Sequence, residues 1–328
     1  MRGLLILLLL PLLVVSQTSG PVVTAFSSLR IPPSARGLAM GDAGIASATE
    51  NQQLYYNPAK TAFTQNFHQA SLSYMPWFSG ISSDTRFMNA NYLANISNSS
   101  AMGIAINYLD LGNLSIRDEN GATLSYYHAG EYHLGGTYAL QLSGKASLGA
   151  GFRVIGQSLY GAAPKEVFGV SGDLSYYQST NLGSISRKLE WGIVLSNLGP
   201  SINGTPLPAN LGIGIGYSNT DPETSDSYSF TLDANRLLKE DWSALRFTGG
   251  AEYGFASQFF LRGGFSYENA LKGNRQFISL GVGYKGLIAD QSYGLDFYYL
   301  IPYGFVGGVS PFEHGFGMTL HLSFGNFQ

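Results

Sequence analysis

The side chains best suited to metal ligation or general-base chemistry are the five histidines, His68, His128, His133, His314 and His321, and none stands in an HExxH or comparable ligand spacing. His133 and His321 alternate with apolar neighbours, which places both on the polar face of a strand, where a histidine needs no catalytic role. A Ser-His-acid hydrolytic site assembles only in three dimensions, and spacing neither shows nor excludes one. Asp118-Glu119-Asn120-Gly121 could hold calcium weakly, but Asn-Gly between strand-like flanks reads first as a hairpin turn. Gly212-Ile213-Gly214-Ile215-Gly216 falls inside a strand pattern and does not open a helix, so it is not a dinucleotide fingerprint. There is no cysteine, which removes thiolate metal sites, thiol nucleophiles, disulfides and thiol lipidation. The expectation is a protein with no catalytic, cofactor-binding or metal-binding residues, and therefore not an enzyme.

The elements that carry these residues belong to an unusual composition. Charged residues make up 12% of the chain, about half the roughly 25% of soluble domains. Glycine (42 residues), tyrosine (21) and phenylalanine (20) are abundant, yet the mean hydropathy is only +0.04. A net charge of −3 and the lack of any basic run leave no footprint for nucleic acid. Met1-Arg2, the apolar run Leu4–Val15 and the small or β-branched residues Val15-Ser16-Gln17 read as a secretory signal peptide over residues 1–20. That run is shorter than the ~20 residues a spanning helix requires. An uncleaved N-terminal anchor is the weaker alternative.

Beyond it the chain alternates with period two. Met102, Ile104, Ile106 and Tyr108 share one face against Gly103, Ala105 and Asn107, and Phe316, Met318, Leu320, Leu322 and Phe324 oppose Gly317, Thr319, His321 and Ser323. Such segments predict strands near 68–77, 86–95, 101–110, 131–142, 146–160, 166–180, 188–197, 208–219, 226–235, 244–253, 257–267, 275–286, 291–300 and 315–324. About fourteen strands of about ten residues each have the length that a tilted strand needs to cross a bilayer. Connections after even-numbered strands are short, as at 143–145 and 254–256, whereas those after odd-numbered strands include the long 111–130 and 301–314.

In lipid every backbone N–H and C=O must be paired internally, so long alternating strands without a spanning helix require a closed sheet. The fold class expected is all-β, an antiparallel transmembrane β-barrel of about fourteen strands over residues 67–328, in the outer membrane of a Gram-negative bacterium and in contact with its lipid. Tyr74, Tyr108, Tyr217, Tyr267, Tyr284 and Tyr299 lie near strand ends, where headgroup-level aromatics belong. A secreted β-sandwich is the competing reading, disfavoured by strand length. Inward positions are mostly small, with isolated Arg153, Arg262 and Asp296, which leaves room for an occupant. Residues 21–66, with Gly37, Gly41, Asp42 and Gly44 followed by Tyr55-Tyr56-Asn57-Pro58-Ala59, are the expected plug in the lumen, against the alternative of a disordered periplasmic arm. Gly304-Phe305-Val306-Gly307-Gly308-Val309 is an apolar, glycine-rich loop at the extracellular end; Phe305, Val306 and Val309 are its candidate partner-docking residues, or the loop folds over the barrel mouth.

Ser34-Ala35-Arg36-Gly37-Leu38-Ala39-Met40-Gly41-Asp42-Ala43-Gly44 with Tyr56-Asn57-Pro58-Ala59 resembles the plug region of FadL-like outer-membrane barrels, and Gly41, Asp42, Gly44, Asn57 and Pro58 are its signature here. Asn57-Pro58-Ala59-Lys60 with Phe63, Ser71 to Phe78, Leu109 to Gly112 and Asp118 to Gly121 resemble the PorV family of the type IX secretion system of Bacteroidetes. So do Leu261 to Phe265, Lys272 to Arg275 and Gly294 to Pro302. The terminal strand, Phe316–Phe324 with Phe327, is similar to the strand that the outer-membrane assembly machinery recognises, although Gln328 stands at the terminal position where Phe is usual. The resemblance implies a non-enzymatic transport role. Its partners would be the giant translocon barrel subunit, the C-terminal signal domains of cargo, and a surface attachment complex with a sortase-like peptidase. The short loop 161–165 leaves open whether the chain is the cargo shuttle or a related barrel beside it. The alternative function is FadL-like uptake of hydrophobic small molecules, with Gly263-Gly264 as a candidate wall kink.

Overall fold

The structure, a computed structural model, describes residues 22–48, 53–64, 66–77, 84–159, 165–289, 291–304, 310 and 312–326. Fourteen strands close into one antiparallel barrel in which each strand pairs with its sequence neighbours and β1 pairs with β14. They are β1 Asn66–Pro76, β2 Arg86–Ser97, β3 Ser100–Arg117, β4 Thr123–Ser143, β5 Ala146–Leu159, β6 Lys165–Asn181, β7 Arg187–Leu198, β8 Asn210–Thr220, β9 Ser227–Leu237, β10 Leu245–Phe255, β11 Phe259–Glu268, β12 Phe277–Ile288, β13 Gln291–Pro302 and β14 Phe316–Asn326. Each falls on a segment that the period-two pattern marks. No helix among the described residues is long and apolar enough to cross a membrane.

Period two becomes two faces. Ile104 and Ile106 are more than half exposed on the outer wall, whereas Asn107 between Ile106 and Tyr108 is 7% exposed. Opposed pairs such as Val282 with Phe297 and Leu280 with Tyr299 continue the outer apolar band across neighbouring strands. The start of β1 and the end of β14 lie at one rim, together with short connections such as Gly144-Lys145 and Ala256–Gln258; this is the periplasmic rim of an outer-membrane barrel.

Two sequence expectations change. The stretch 111–130, expected as a long loop, is mostly strand. After a bulge at Leu111-Gly112, where Gly112 has φ 74°, β3 and β4 pair on through Ser115 with Tyr126 to Arg117 with Thr123. Only 118–122 turns, with Asp118 Oδ1 accepting from the Asn120 and Ala122 N–H groups at 2.9 and 2.8 Å. The acidic tetrapeptide is thus a turn, and the wall rises on this side. Nor do Gly263-Gly264 kink the wall, because β11 keeps continuous register with β10 and β12 through both. Residues 1–20, expected to be a signal peptide, lie outside the described residues.

Candidate functional site

The lumen is occupied by the chain that precedes β1. This segment starts at the extracellular mouth, where Ala25 N–H donates to the Pro206 carbonyl at 2.9 Å. There Phe26 and Leu29 pack with Ile155 and Leu207. A 3₁₀ turn, Ser27–Arg30, is held by the Ser28 N–H donating to Glu131 Oε2 at 2.8 Å and by Arg30 pairing with Glu268 at 2.7 Å. The short helix α1, Ala35–Ala39, follows; Ser34 Oγ caps it by accepting from the Gly37 N–H. A second turn, α2 (Gln53–Tyr56), and a 3₁₀ turn, Pro58–Phe63, lead to the periplasmic rim, where Asn95 Nδ2 donates to the Thr64 carbonyl at 2.8 Å.

The signature residues are the fastenings of this segment. Gly41 adopts φ 74°, and a Cβ there would fall 2.3 Å from the Phe265 carbonyl oxygen, so only glycine lets the plug lie on the wall. Asp42 pairs with Arg246 and accepts from Tyr56 Oη at 3.0 Å. The Gly44 and Ile45 N–H groups donate to Asp233 Oδ2 at 2.7 and 2.9 Å. Asn57 bridges plug and wall, with Nδ2 donating to the Ile45 and Tyr176 carbonyls while Oδ1 accepts from Ala59 N–H ahead of Pro58. The wall answers with small residues. A Cβ at Gly264 would meet Gly41 N at 2.2 Å, at Gly216 the Ala46 carbonyl at 2.2 Å, and at Gly149 the Ala59 N at 2.3 Å.

Arg153, Arg262 and Asp296, expected as isolated lumen charges, are paired. Arg36 of the plug makes a two-pronged pair with Glu252 at 2.8 and 2.9 Å. Glu252 also accepts from Arg262 at 2.5 Å; Arg262 reaches Asp296 at 2.6 Å, and Asp296 contacts His321 Nε2 at 2.6 Å. Arg153 pairs with Asp173. A buried wall charge requires a partner, and Arg153, Arg262 and Asp296 find theirs on other strands of the wall, while the plug's Arg30, Arg36 and Asp42 pair with the further wall charges Glu268, Glu252 and Arg246. The five histidines stay apart: His133 sits at the end of a side-chain chain from Asn89 through Asn107, His321 faces Asp296, and His68, His128 and His314 lie near the rims with Tyr92, Asp110 and Tyr299. Among the described residues no three His, Cys, Asp or Glu side chains group so as to hold a metal ion.

The plug divides the lumen unevenly. On the outer side is a cavity of ≈ 70 Å³ lined by both charges, including Arg30, Asp42, Arg153, Asp233, Arg246 and Glu268. Arg275, in the β11–β12 loop, has its pKa pushed down to about 10 by burial and by Arg30 and Arg246 beside it. Tyr55 of the plug is pushed up to about 12, by burial first and by Asp42 second. On the inner side is a vestibule of ≈ 930 Å³. Phe305, Val306 and Val309 lie outside the described residues, so the candidate docking loop has no geometry to set beside these chambers.

The fold is shared with known transporters at low sequence identity. The Pseudomonas putida toluene transporter TodX superposes with a TM-score of 0.57 at 13% identity, over 94% of this chain and 98% of that one. A Pseudomonas aeruginosa FadL homologue gives 0.50 at 11% identity, over 93% and 99%. The monoaromatic hydrocarbon channel CymD gives 0.53 at 11% identity, over 90% and 98%. No curated protein sequence matches the chain. The family model for the type IX secretion system protein PorV matches residues 15–240. A closed, plugged fourteen-stranded barrel whose sequence satisfies that model over more than half its length belongs to the PorV family, and the chain is an outer-membrane component of type IX secretion.

Proposed function

We propose that the chain is a non-enzymatic docking barrel. It binds the giant translocon subunit, receives cargo by its C-terminal signal domain and hands it toward the surface attachment complex. The observation that carries this reading is the outer end of the lumen. A cavity of ≈ 70 Å³ whose walls mix charged with apolar side chains is far below the roughly 300–1,000 Å³ of ordinary ligand pockets, which are lined predominantly by apolar groups. Surface remains for function there, including the raised β3–β4 hairpin, on which Leu124 and Tyr126 are 66% and 75% exposed. Exposed apolar side chains above the membrane fit a protein partner. The FadL-like fold supports uptake of hydrophobic molecules as the second reading.

Affinity isolation of the tagged protein from outer membranes in mild detergent tests the choice. Recovery of a giant barrel, or of secreted proteins sharing a C-terminal β-rich domain, is expected, with several-fold loss for Leu124→Ser/Tyr126→Ser or Phe305→Ser/Val306→Ser. A lone barrel carrying only apolar small molecules would overturn the docking reading in favour of uptake.

A further inference from the structure

We propose that the periplasm-facing vestibule binds an acidic, extended polypeptide segment of another protein, a role at the opposite end of the molecule from the docking surface above. The cavity is large, ≈ 930 Å³, and opens between the inner ends of the strands. Its walls carry five cationic side chains, Arg36, Lys145, Lys188, Arg262 and Lys285, against three carboxylates, Glu190, Glu252 and Asp296. All three carboxylates are engaged. Glu252 holds both arginines, Asp296 holds Arg262 and His321, and Glu190 accepts from Tyr177 Oη at 2.5 Å and Ser218 Oγ at 3.2 Å. Among the described residues Lys145, Lys188 and Lys285 have no carboxylate within ion-pair distance. The nearby turn acids do not supply one: Asp221 accepts from the Glu223 and Thr224 N–H groups, and Asp226 from Ala256 N–H and Tyr253 Oη.

The arrangement selects the class of ligand. Lys145 follows the β4–β5 turn, Lys188 lies on β7 and Lys285 on β12, about half the barrel away from Lys145. Both arginine forks are occupied by carboxylates, so no planar two-pronged site for a single phosphate remains. Three separated point charges around a wide opening match several carboxylates spread along one chain. Ser179, Asn181, Ser218 and Ser292 line the space between them and can hydrogen-bond a peptide backbone. Attraction to lysines that lack a carboxylate partner weakens as salt rises, so the acidic chain is held less well at high salt.

The test is fluorescence anisotropy of a labelled eight-residue Glu/Ser peptide with the full-length protein in lipid nanodiscs at low salt. Saturable binding is expected, with no binding of the matched Lys/Ser peptide. Lys145→Gln/Lys188→Gln/Lys285→Gln should weaken it about tenfold or more, while Lys239→Gln, beyond the other rim, leaves it unchanged. Inorganic phosphate at the same ionic strength should compete no better than chloride. If the triple variant fails to assemble, Ser179→Cys capped with a bulky maleimide should block binding in its place. Wild-type affinity in the triple variant or in the capped protein, or no saturable binding by wild type, would overturn the proposal, as would equal loss in Lys239→Gln.

Discussion

The two ends of the lumen are built on opposite plans. At the outer end Trp77, Phe87, Phe277, Leu300 and Phe312 pack with Ile31, Leu38 and Tyr298 of plug and wall into one apolar cluster. Each such side chain contributes on the order of 1.5–3 kcal/mol by burial. Beside it the space between plug and wall shrinks to ≈ 70 Å³. At the inner end the wall stands clear of the plug, and charge and hydroxyl groups face a space of ≈ 930 Å³. The contrast shows which way the plug faces. It is packed against the outside and open to the periplasm, the reverse of what uptake from outside asks of a resting barrel.

The largest effect is expected where the two plans meet, at Glu252. Its carboxylate neutralises Arg36 from the plug and Arg262 from the wall, and both its own side chain and that of Arg36 are 9% exposed. Glu252→Ala leaves two buried guanidiniums without their shared partner, a class of change that destabilises by about 3–5 kcal/mol. Urea unfolding followed by tryptophan fluorescence should show that loss, with Glu252→Gln in between because it keeps hydrogen bonds and loses charge. A midpoint unchanged in Glu252→Ala would mean that plug and wall are not held together by this pair.

Gly264→Val probes the same contact through shape. The added side chain cannot share space with Gly41 N, 2.2 Å from where its Cβ must go. The β11 backbone ladder is unaffected, so the plug is what must move. Overpacking of this kind costs about 1–3 kcal/mol. The barrel should still assemble and resist SDS when unheated, but planar-bilayer recordings should show ion-conducting steps where the wild type is silent, because the apolar outer packing no longer closes the path. A silent Gly264→Val protein with the plug still protected from protease would mean that the outer packing does not close the path.

How far the sequence carried this picture differs by level. Strand positions were legible because a half-lipid, half-lumen wall enforces alternation, as in Met102 to Tyr108 or Phe316 to Phe324. The small inward residues were legible as space for an occupant, and at Gly149, Gly216 and Gly264 the plug backbone fills that space. The ion pairs were not. Arg36 and Glu252 stand 216 residues apart, and periodicity says which face a charge takes but not which partner it meets. A usable signal was present: the plug segment carries Arg30, Arg36, Asp42 and Lys60, and isolated inward charges on the wall require partners in such a dry space. The β3–β4 extension was missed because polar Ser115 and Ser125 interrupt the apolar run above the membrane, where the outer face no longer needs lipid contact.

The smallest effect, and the one most specific to the plug, concerns Tyr55. This side chain lines the polar outer cavity and the small one beside His133, and its hydroxyl is held neutral to about 12 by burial and by Asp42. In the unfolded chain a tyrosine ionises near 10. Because the folded value is the higher one, the stability that neutral Tyr55 lends is fully present below pH 10 and is lost as the pH rises from 10 through 12. Other tyrosines ionise in the same window, so the informative quantity is the difference between wild type and Tyr55→Phe. Phenylalanine preserves the packing and removes the ionisable group, so the gap between the two urea midpoints should stay constant up to pH 10. Above it the variant should gain on wild type by about 1–2 kcal/mol. Parallel curves through pH 12 would mean that Tyr55 is reached by water in the folded barrel. The outer end of the lumen would then be as open as the inner one, and the asymmetry that supports a docking role would be lost.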